Sequence, residues 1–141
     1  MIRPVDRNDL PEIVDLFREL WPDLSLTLKD VEPILERYLR DNSYEIFCFE
    51  DKKILGVITL SKRWAFFYRS RVALIEDIVV REKYRNQGIG KKLVQFVESR
   101  LTEQGIKCVE LASDFHRTKT HEFWESLNYR RLAFQFRKDL L

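Results

Sequence analysis

Glycine and proline are scarce in this chain, with four of each among 141 residues, and that scarcity argues against a disordered, low-complexity tail. Apolar residues at 45% and charged residues at 34% have instead the balance of a folded globular protein. No stretch reaches the roughly 18 apolar residues that a membrane-spanning helix needs. The opening Met1-Ile2-Arg3-Pro4-Val5-Asp6 has no apolar core followed by a cleavage site, so neither export nor a membrane partner is expected. Charge of one sign is missing too. A formal net charge of +2 is too close to neutral for a polyanion-binding surface, and no nucleic-acid partner is expected. Cysteine is limited to Cys48 and Cys108. Both lie in apolar strand-like runs, where the expected role is a small buried hydrophobe and the expected compartment a reducing cytoplasm. The length suits one domain, residues 1–141.

What is present is periodic. Residues 2–5 read as a short edge strand, because Pro4 is tolerated only at an edge. Leu10, Ile13, Val14, Phe17, Leu20 and Trp21 recur at helical spacing, with a cap near Asn8 or Asp9, Pro11 in the first turn and Pro22 as the stop. A second helix carries Val31, Ile34, Leu35, Tyr38 and Leu39. Pro33 favours Asp30 as its N-cap, with Thr27 competing. Residues 44–50 and 54–60 read as an antiparallel hairpin around Asp51-Lys52-Lys53, with Gly56 marking a bulge. A basic, aromatic connection follows, and then residues 72–80, a long apolar run interrupted by Glu76 and Asp77, the pattern of a central strand bringing polar groups to one place. A helix starting near Gln87 carries Leu93, Phe96, Val97 and Leu101 and closes at Gly105. A strand over 107–111, a short helix over 118–127 and a final strand over 129–136 complete the order. Strand, helix and strand from Val72 to Leu111 require one parallel pair with a right-handed crossover. The expected class is mixed α/β with a mostly antiparallel sheet.

Between the strand ending at Val80 and the next helix the chain reads Arg85-Asn86-Gln87-Gly88-Ile89-Gly90-Lys91. Helix N-termini present amides without intrahelical partners and the positive end of the helix dipole, and glycine lets a phosphate approach them directly. Arg85 and Lys91 add positive charge. The plain alternative is a tight turn with close helix packing. No GxxxxGK[ST] loop is present, and Leu93 occupies the third glycine position of a dinucleotide fingerprint, so the ligand is neither a P-loop triphosphate nor a conventional dinucleotide.

Arg85, Gly88 and Gly90 meet the pattern [QR]-x-x-G-x-[GA], and the chain here resembles the GNAT superfamily of N-acetyltransferases. Arg117, His121, Phe123, Trp124, Asn128 and Tyr129 are similar to a second family segment, R-x-x-A-H-x-F-Y-x-x-x-G-[FY]. The resemblance spans nearly the whole chain. It implies a twisted, mostly antiparallel sheet with one splayed parallel pair, helices on both faces, and acetyl-coenzyme A (acetyl-CoA) as co-substrate. Its pyrophosphate would lie on the turn formed by Arg85, Asn86, Gln87, Gly88, Ile89, Gly90 and Lys91, with Arg117 a further contact. Its pantetheine arm would pair with backbone groups of Ile78, Val79 and Val80, as an amide-bearing ligand strand can. Homodimers are common in the superfamily and are carried over as an expectation, although no surface stripe specifies an interface.

An alkylamine with a pKa near ~10.4 is only about one part in a thousand neutral at pH 7, so acetyl transfer needs a base or a depressed amine pKa. Strand alternation puts Glu76 on one face with Ile78 and Val80, and Asp77 on the other. In the family that the chain resembles, an acid near Glu76 often accepts the amine proton, so the resemblance favours Glu76 as general base with Asp77 the second choice; the alternative is that either acid pairs with Arg71, Lys62 or a helix terminus. The resemblance also implies a backbone N–H near Ile78 as the oxyanion donor. Trp124 stands where the family often has a tyrosine proposed to protonate the departing thiolate. Indole can hydrogen-bond a thiolate but has no proton to give it. Asn128 replaces a glycine at a position where asparagine tolerates left-handed backbone.

The acceptor is expected to be a small-molecule amine. Lys62, Arg63, Arg69 and Arg71, interleaved with Trp64, Phe66, Phe67 and Tyr68, would suit an anionic one, unless this is a solvated hairpin tip with its aromatics turned to the core. Phe134, Phe136 and Lys138, together with Glu110, Arg117, His121 and Phe123, resemble the aminoalkylphosphonate N-acetyltransferases. A non-catalytic acetyl-CoA-binding regulatory or interaction module is the rival class, favoured by Trp124.

Overall fold

Alternating apolar residues assemble a five-stranded sheet in the order β1-β2-β3-β4-β5. Its strands are β1 (Ile2–Pro4), β2 (Tyr44–Asp51), β3 (Lys53–Ala65), β4 (Ser70–Val80) and β5 (Val109–Glu110). The first four pair antiparallel and β5 pairs parallel to β4. The computed structural model describes residues 1–141 and divides them into two compact units, Met1–Glu110 and Leu111–Leu141.

In the first unit the pleat of β3 sorts its residues between two faces. Val57, with Val79, Ile46 and Cys48 of the neighbouring strands, packs in one buried cluster with Ile13, Val14 and Phe17 of α1 (Leu10–Leu20) and Val31 and Leu35 of α2 (Leu28–Arg40). The opposite face meets α3 (Ile89–Glu103), where Phe47 packs edge-on against Phe96 with ring centroids 5.0 Å apart. Gly56 is what lets α3 come close: a Cβ there would lie 3.2 Å from Leu93 Cδ1 and 3.3 Å from Ile89 Cγ2. Cys48 is fully buried, which pushes its thiol up to about 11.

Several expectations need correction. Thr27, not Asp30, caps α2: its side chain accepts from the Asp30 amide while the Asp30 carboxylate accepts from the Thr27 amide. That reciprocal box moves the start back a turn and leaves Pro33 inside the helix. The helix after the glycine turn begins at Ile89 rather than near Gln87. Most of the basic, aromatic connection is strand, since β3 runs to Ala65 and β4 starts at Ser70. The bulge near Gly56 is present as a register shift between Phe49 and Glu50 that leaves Leu55 as the extra residue. The strand expected over 107–111 is reduced to Val109–Glu110, because β4 offers it only Ala73 and Leu74 as partners. Gly105 ends α3 with φ +78°, as expected of a helix C-terminus.

In the second unit α4 (Thr118–Ser126) buries Trp124, whose ring packs edge-on against Phe123 at 5.0 Å and Tyr129 at 5.1 Å. Asn128 takes the left-handed conformation, φ +70°. Residues 129–136 form no strand. Leu132, Phe134 and Phe136 alternate as strand residues do, but all three are exposed, so neither face of the segment has a surface to pack on. No helix of the chain is long and apolar enough to cross a membrane.

Candidate functional site

The glycine turn opens α3. Gly88 is its N-cap residue, in left-handed backbone with φ +84° and with no side-chain cap. The first helical hydrogen bond runs from the Lys92 amide to the Gly88 carbonyl at 3.0 Å, so the amides of Ile89, Gly90 and Lys91 have no intrahelical acceptor. A Cβ on Gly88 would meet nothing within 4 Å. The glycine is therefore demanded by backbone conformation, and the space beside the free amides is open. Asn86, also left-handed at φ +63°, Gln87 and Lys91 are exposed, while Ile89 is buried and anchors the turn. Arg85 Nε donates to the Val80 carbonyl at 2.9 Å, tying the turn to the end of β4.

Along β4 the parallel pairing stops early. β5 registers only with Ala73 and Leu74, so β4 beyond Leu74 has an open edge on that side. The Arg81 amide donates across to the Leu55 carbonyl at 2.8 Å. Antiparallel alternation then turns the backbone groups of Val80 and Ile78 toward the open edge and those of Val79 toward β3. Of the three residues expected to offer backbone groups, Val79 is excluded by this register.

The acids lie at a second bulge. Thr59 opposes Asp77 and the next residue, Leu60, opposes Ile75, so Glu76 is an extra residue in β4. The extra residue breaks the alternation that had placed Glu76 and Asp77 on opposite faces. Thr59 and Ser61 share one face of β3; Asp77 Oδ2 accepts from Thr59 Oγ1 at 2.8 Å, and Glu76 Oε1 accepts from Ser61 Oγ at 3.0 Å. Both carboxylates therefore serve the same side of the sheet. Burial raises the Asp77 carboxyl above its ordinary value, and the neighbouring Glu76 charge adds to the rise.

Tyr38 of α2 completes this group and was read from the sequence only as a core position. Burial, reinforced by the charges of Asp77 and Glu76, pushes its phenol up to about 12. Its ring lies 4.8 Å from that of Tyr44. Thr59, Ser61 and Tyr44 were not anticipated, since only the bulged register brings them beside the acids.

The cations expected to pair with those acids are engaged elsewhere. Lys62, on the α3 face, is buried against Glu45 at 3.0 Å and also bonds Gln104. Arg71 lies over the Trp64 ring at 5.9 Å, and Arg63 pairs with Glu110 at 3.1 Å. The aromatics of the tip point outward: Trp64, Phe66 and Phe67 are 79%, 104% and 87% exposed. In the second unit Arg117 precedes α4, and His121 Nε2 contacts the Asp114 carbonyl at 2.7 Å, a bond local to that loop.

Residues 10–129 match the acetyltransferase (GNAT) family. The chain is 30% identical over 127 residues to an aminoglycoside N(6')-acetyltransferase of Klebsiella aerogenes, covering 85% of this chain and 81% of that protein. It is 24% identical over 102 residues to an aminoalkylphosphonate N-acetyltransferase of Salmonella typhimurium, covering 72% of this chain and 66% of the relative. An aminoglycoside N-acetyltransferase crystallised with CoA shares the fold, with a TM-score of 0.87 over 100% of this chain and 95% of the other at 20% identity. The open amides before α3, the unpaired edge of β4 and the family match agree: the chain belongs to the GNAT family and is an acetyl-CoA-dependent N-acetyltransferase.

Proposed function

We propose that the chain acetylates a primary amine of a small molecule, with residues 1–141 acting as one acetyltransferase domain. The family match across both units supports the single domain. The observation that carries the reading is the bulge that takes Glu76 out of the β3–β4 pairing two residues before Ile78, whose amide faces the open edge.

Acetyl-CoA supplies the activated acyl group. The chain's own residues divide the remaining work. The amides of Ile89, Gly90 and Lys91, with Arg85 and the turn residues Asn86, Gln87 and Gly88, hold the pyrophosphate. The groups of Val80 and Ile78 pair with the pantetheine amides. Glu76 takes the proton of the acceptor ammonium, directly or through one water, and frees its lone pair for attack on the carbonyl. The Ile78 N–H, which faces away from β3, stabilises the charge developing on the carbonyl oxygen. Trp124 belongs to the packing of its own unit. A thiol with a pKa near ~8.5 departs as thiolate without an indole donor.

An anionic acceptor would have to use the tip between β3 and β4, and the likeness to an aminoalkylphosphonate enzyme favours it. The engagement of Lys62, Arg63 and Arg71 within the protein weakens that version. The test is release of free thiol from acetyl-CoA across a panel of aminoalkylphosphonates, polyamines and amino sugars. Turnover with at least one class is expected, and Glu76→Gln should lower kcat about a hundredfold or more while the KM for acetyl-CoA holds. Binding of acetyl-CoA without turnover on the whole panel would refute the acceptor half of the reading.

A further inference from the structure

The chemistry around the two acids favours one kind of acceptor. None of the chain's ion pairs includes Glu76 or Asp77; their polar partners are the neutral hydroxyls of Ser61 and Thr59. Pleating explains why the nearby cations do not neutralise them. Lys62, and the cross-strand pair Trp64 and Arg71, lie on the α3 face, opposite Thr59 and Ser61. Arg63 shares the acids' side but is held by Glu110.

A half-buried carboxylate without a counter-charge carries a desolvation cost that a bound cation offsets. The raised Asp77 carboxyl is the signature of that cost. The tilted rings of Tyr38 and Tyr44 stand beside the same group, and aromatic faces next to carboxylates are suited to alkylammonium ions. Glu76 cannot both accept the proton of the reacting amine and hold a permanent cation. Asp77, with one oxygen on Thr59 and the other without a protein partner, is the carboxylate left for the second task.

We propose that Asp77, supported by Thr59 and the Tyr38–Tyr44 ring pair, holds a second ammonium group of the acceptor, so that the enzyme acts on diamines, polyamines or amino sugars with more than one amine. This specificity rests on the reading of Glu76 as the base for the reacting amine. It places the enzyme on substrates whose other charges are positive, the reverse of the anionic acceptor suggested by the loop.

The experiment compares three acceptors of similar length: putrescine, its monoamine analogue butylamine, and 3-aminopropylphosphonate. Wild-type kcat/KM for putrescine should exceed that for butylamine at least about tenfold, the effect of one charge-assisted hydrogen bond. Asp77→Asn should bring that ratio to within about twofold of one, with the loss read mainly in the KM for putrescine. Asp77→Glu should restore part of it, and Tyr38→Leu, which removes the ring, should reduce it by a smaller factor. Preference for 3-aminopropylphosphonate would overturn the proposal, as would a fall in kcat by the same factor for butylamine and putrescine in Asp77→Asn. Should Asp77→Asn fail to fold, an unchanged ratio in Tyr38→Leu, which removes the ring, overturns it. Turnover of the monoamine without preference for the diamine refutes the specificity alone. Absence of turnover on all three, with acetyl-CoA binding detected by calorimetry, refutes both the specificity and the acceptor role of Glu76.

Discussion

Replacing Gly88 separates the two properties that make it suitable for its turn, backbone conformation and open space. Its φ of +84° lies in the left-handed region, which costs a residue with a Cβ about 1–2 kcal/mol. Gly88→Ala should therefore lower the melting temperature by roughly 3–8 °C for a domain of this size. Asparagine enters that region more readily, so Gly88→Asn should recover much of the loss. Affinity for CoA should behave differently. Nothing lies within 4 Å of a Cβ at this position, and either side chain would project into the space beside the unpaired amides of Ile89 and Gly90. A hydrogen bond to a charged group contributes about 1.5–3 kcal/mol, so losing one raises the Kd about tenfold to 150-fold. Calorimetry with CoA should show that loss in both variants, while S-acetylpantetheine, which lacks the pyrophosphate, should be used as efficiently as by the wild type. If Gly88→Asn binds CoA with wild-type affinity, or if S-acetylpantetheine suffers the same loss, the pyrophosphate does not sit on this turn.

Two further outcomes are expected. Arg3 bridges Asp9 at 2.8 and 2.9 Å and Glu50 at 3.0 and 2.9 Å, and its hydrogen bonds to the nearly buried Asp9 hold that carboxyl below its usual range. Asp9→Asn should cost about 2–3 kcal/mol at neutral pH, toward the low end for a broken buried pair because Glu50 still engages Arg3. A carboxyl depressed in the folded state stabilises fully above its unfolded pKa, near ~3.9, and loses that contribution as pH falls through the folded value. The gap between wild type and variant should therefore narrow below about pH 4 in denaturant melts; a gap constant down to pH 2.5 would contradict the pairing. Trp124→Phe should cost about 1–2 kcal/mol through lost packing in the second unit and leave kcat within about threefold of wild type. A kcat loss above about tenfold, at a temperature where the variant is folded, would return Trp124 to the chemistry.

Much of the proposed cofactor half of the site was legible because its determinants are local. A left-handed glycine, an uncapped helix start and a strand that must cross over to a parallel partner are written in short stretches of chain between Val72 and Leu111. Thr27 and Asp30 show the limit of local reading even there. Both were visible as caps, and the choice was made by a reciprocal bond that satisfies two amides at once, at the expense of leaving Pro33 within the helix. The strand expected over 129–136 was misread for a related reason: alternation records a capacity for two faces, and only a partner and a buried surface turn it into a strand.

By itself the sequence determined the mixed α/β class, the parallel crossover, the glycine turn and the family, since periodicity, caps and contiguous motifs depend on near neighbours along the chain. The tertiary structure alone decided the grouping proposed as the acceptor side. The acids at Glu76 and Asp77 were plain to see, but their shared face depends on one extra residue in the β3–β4 register, and their companions Tyr38, Tyr44, Thr59 and Ser61 come from other elements. Because side chains alternate with period two, a one-residue bulge reverses which face a residue serves. That same pleat carries Lys62 and Arg71 away from the acids and leaves Glu76 and Asp77 without a protein counter-charge, as the proposed ammonium subsite requires.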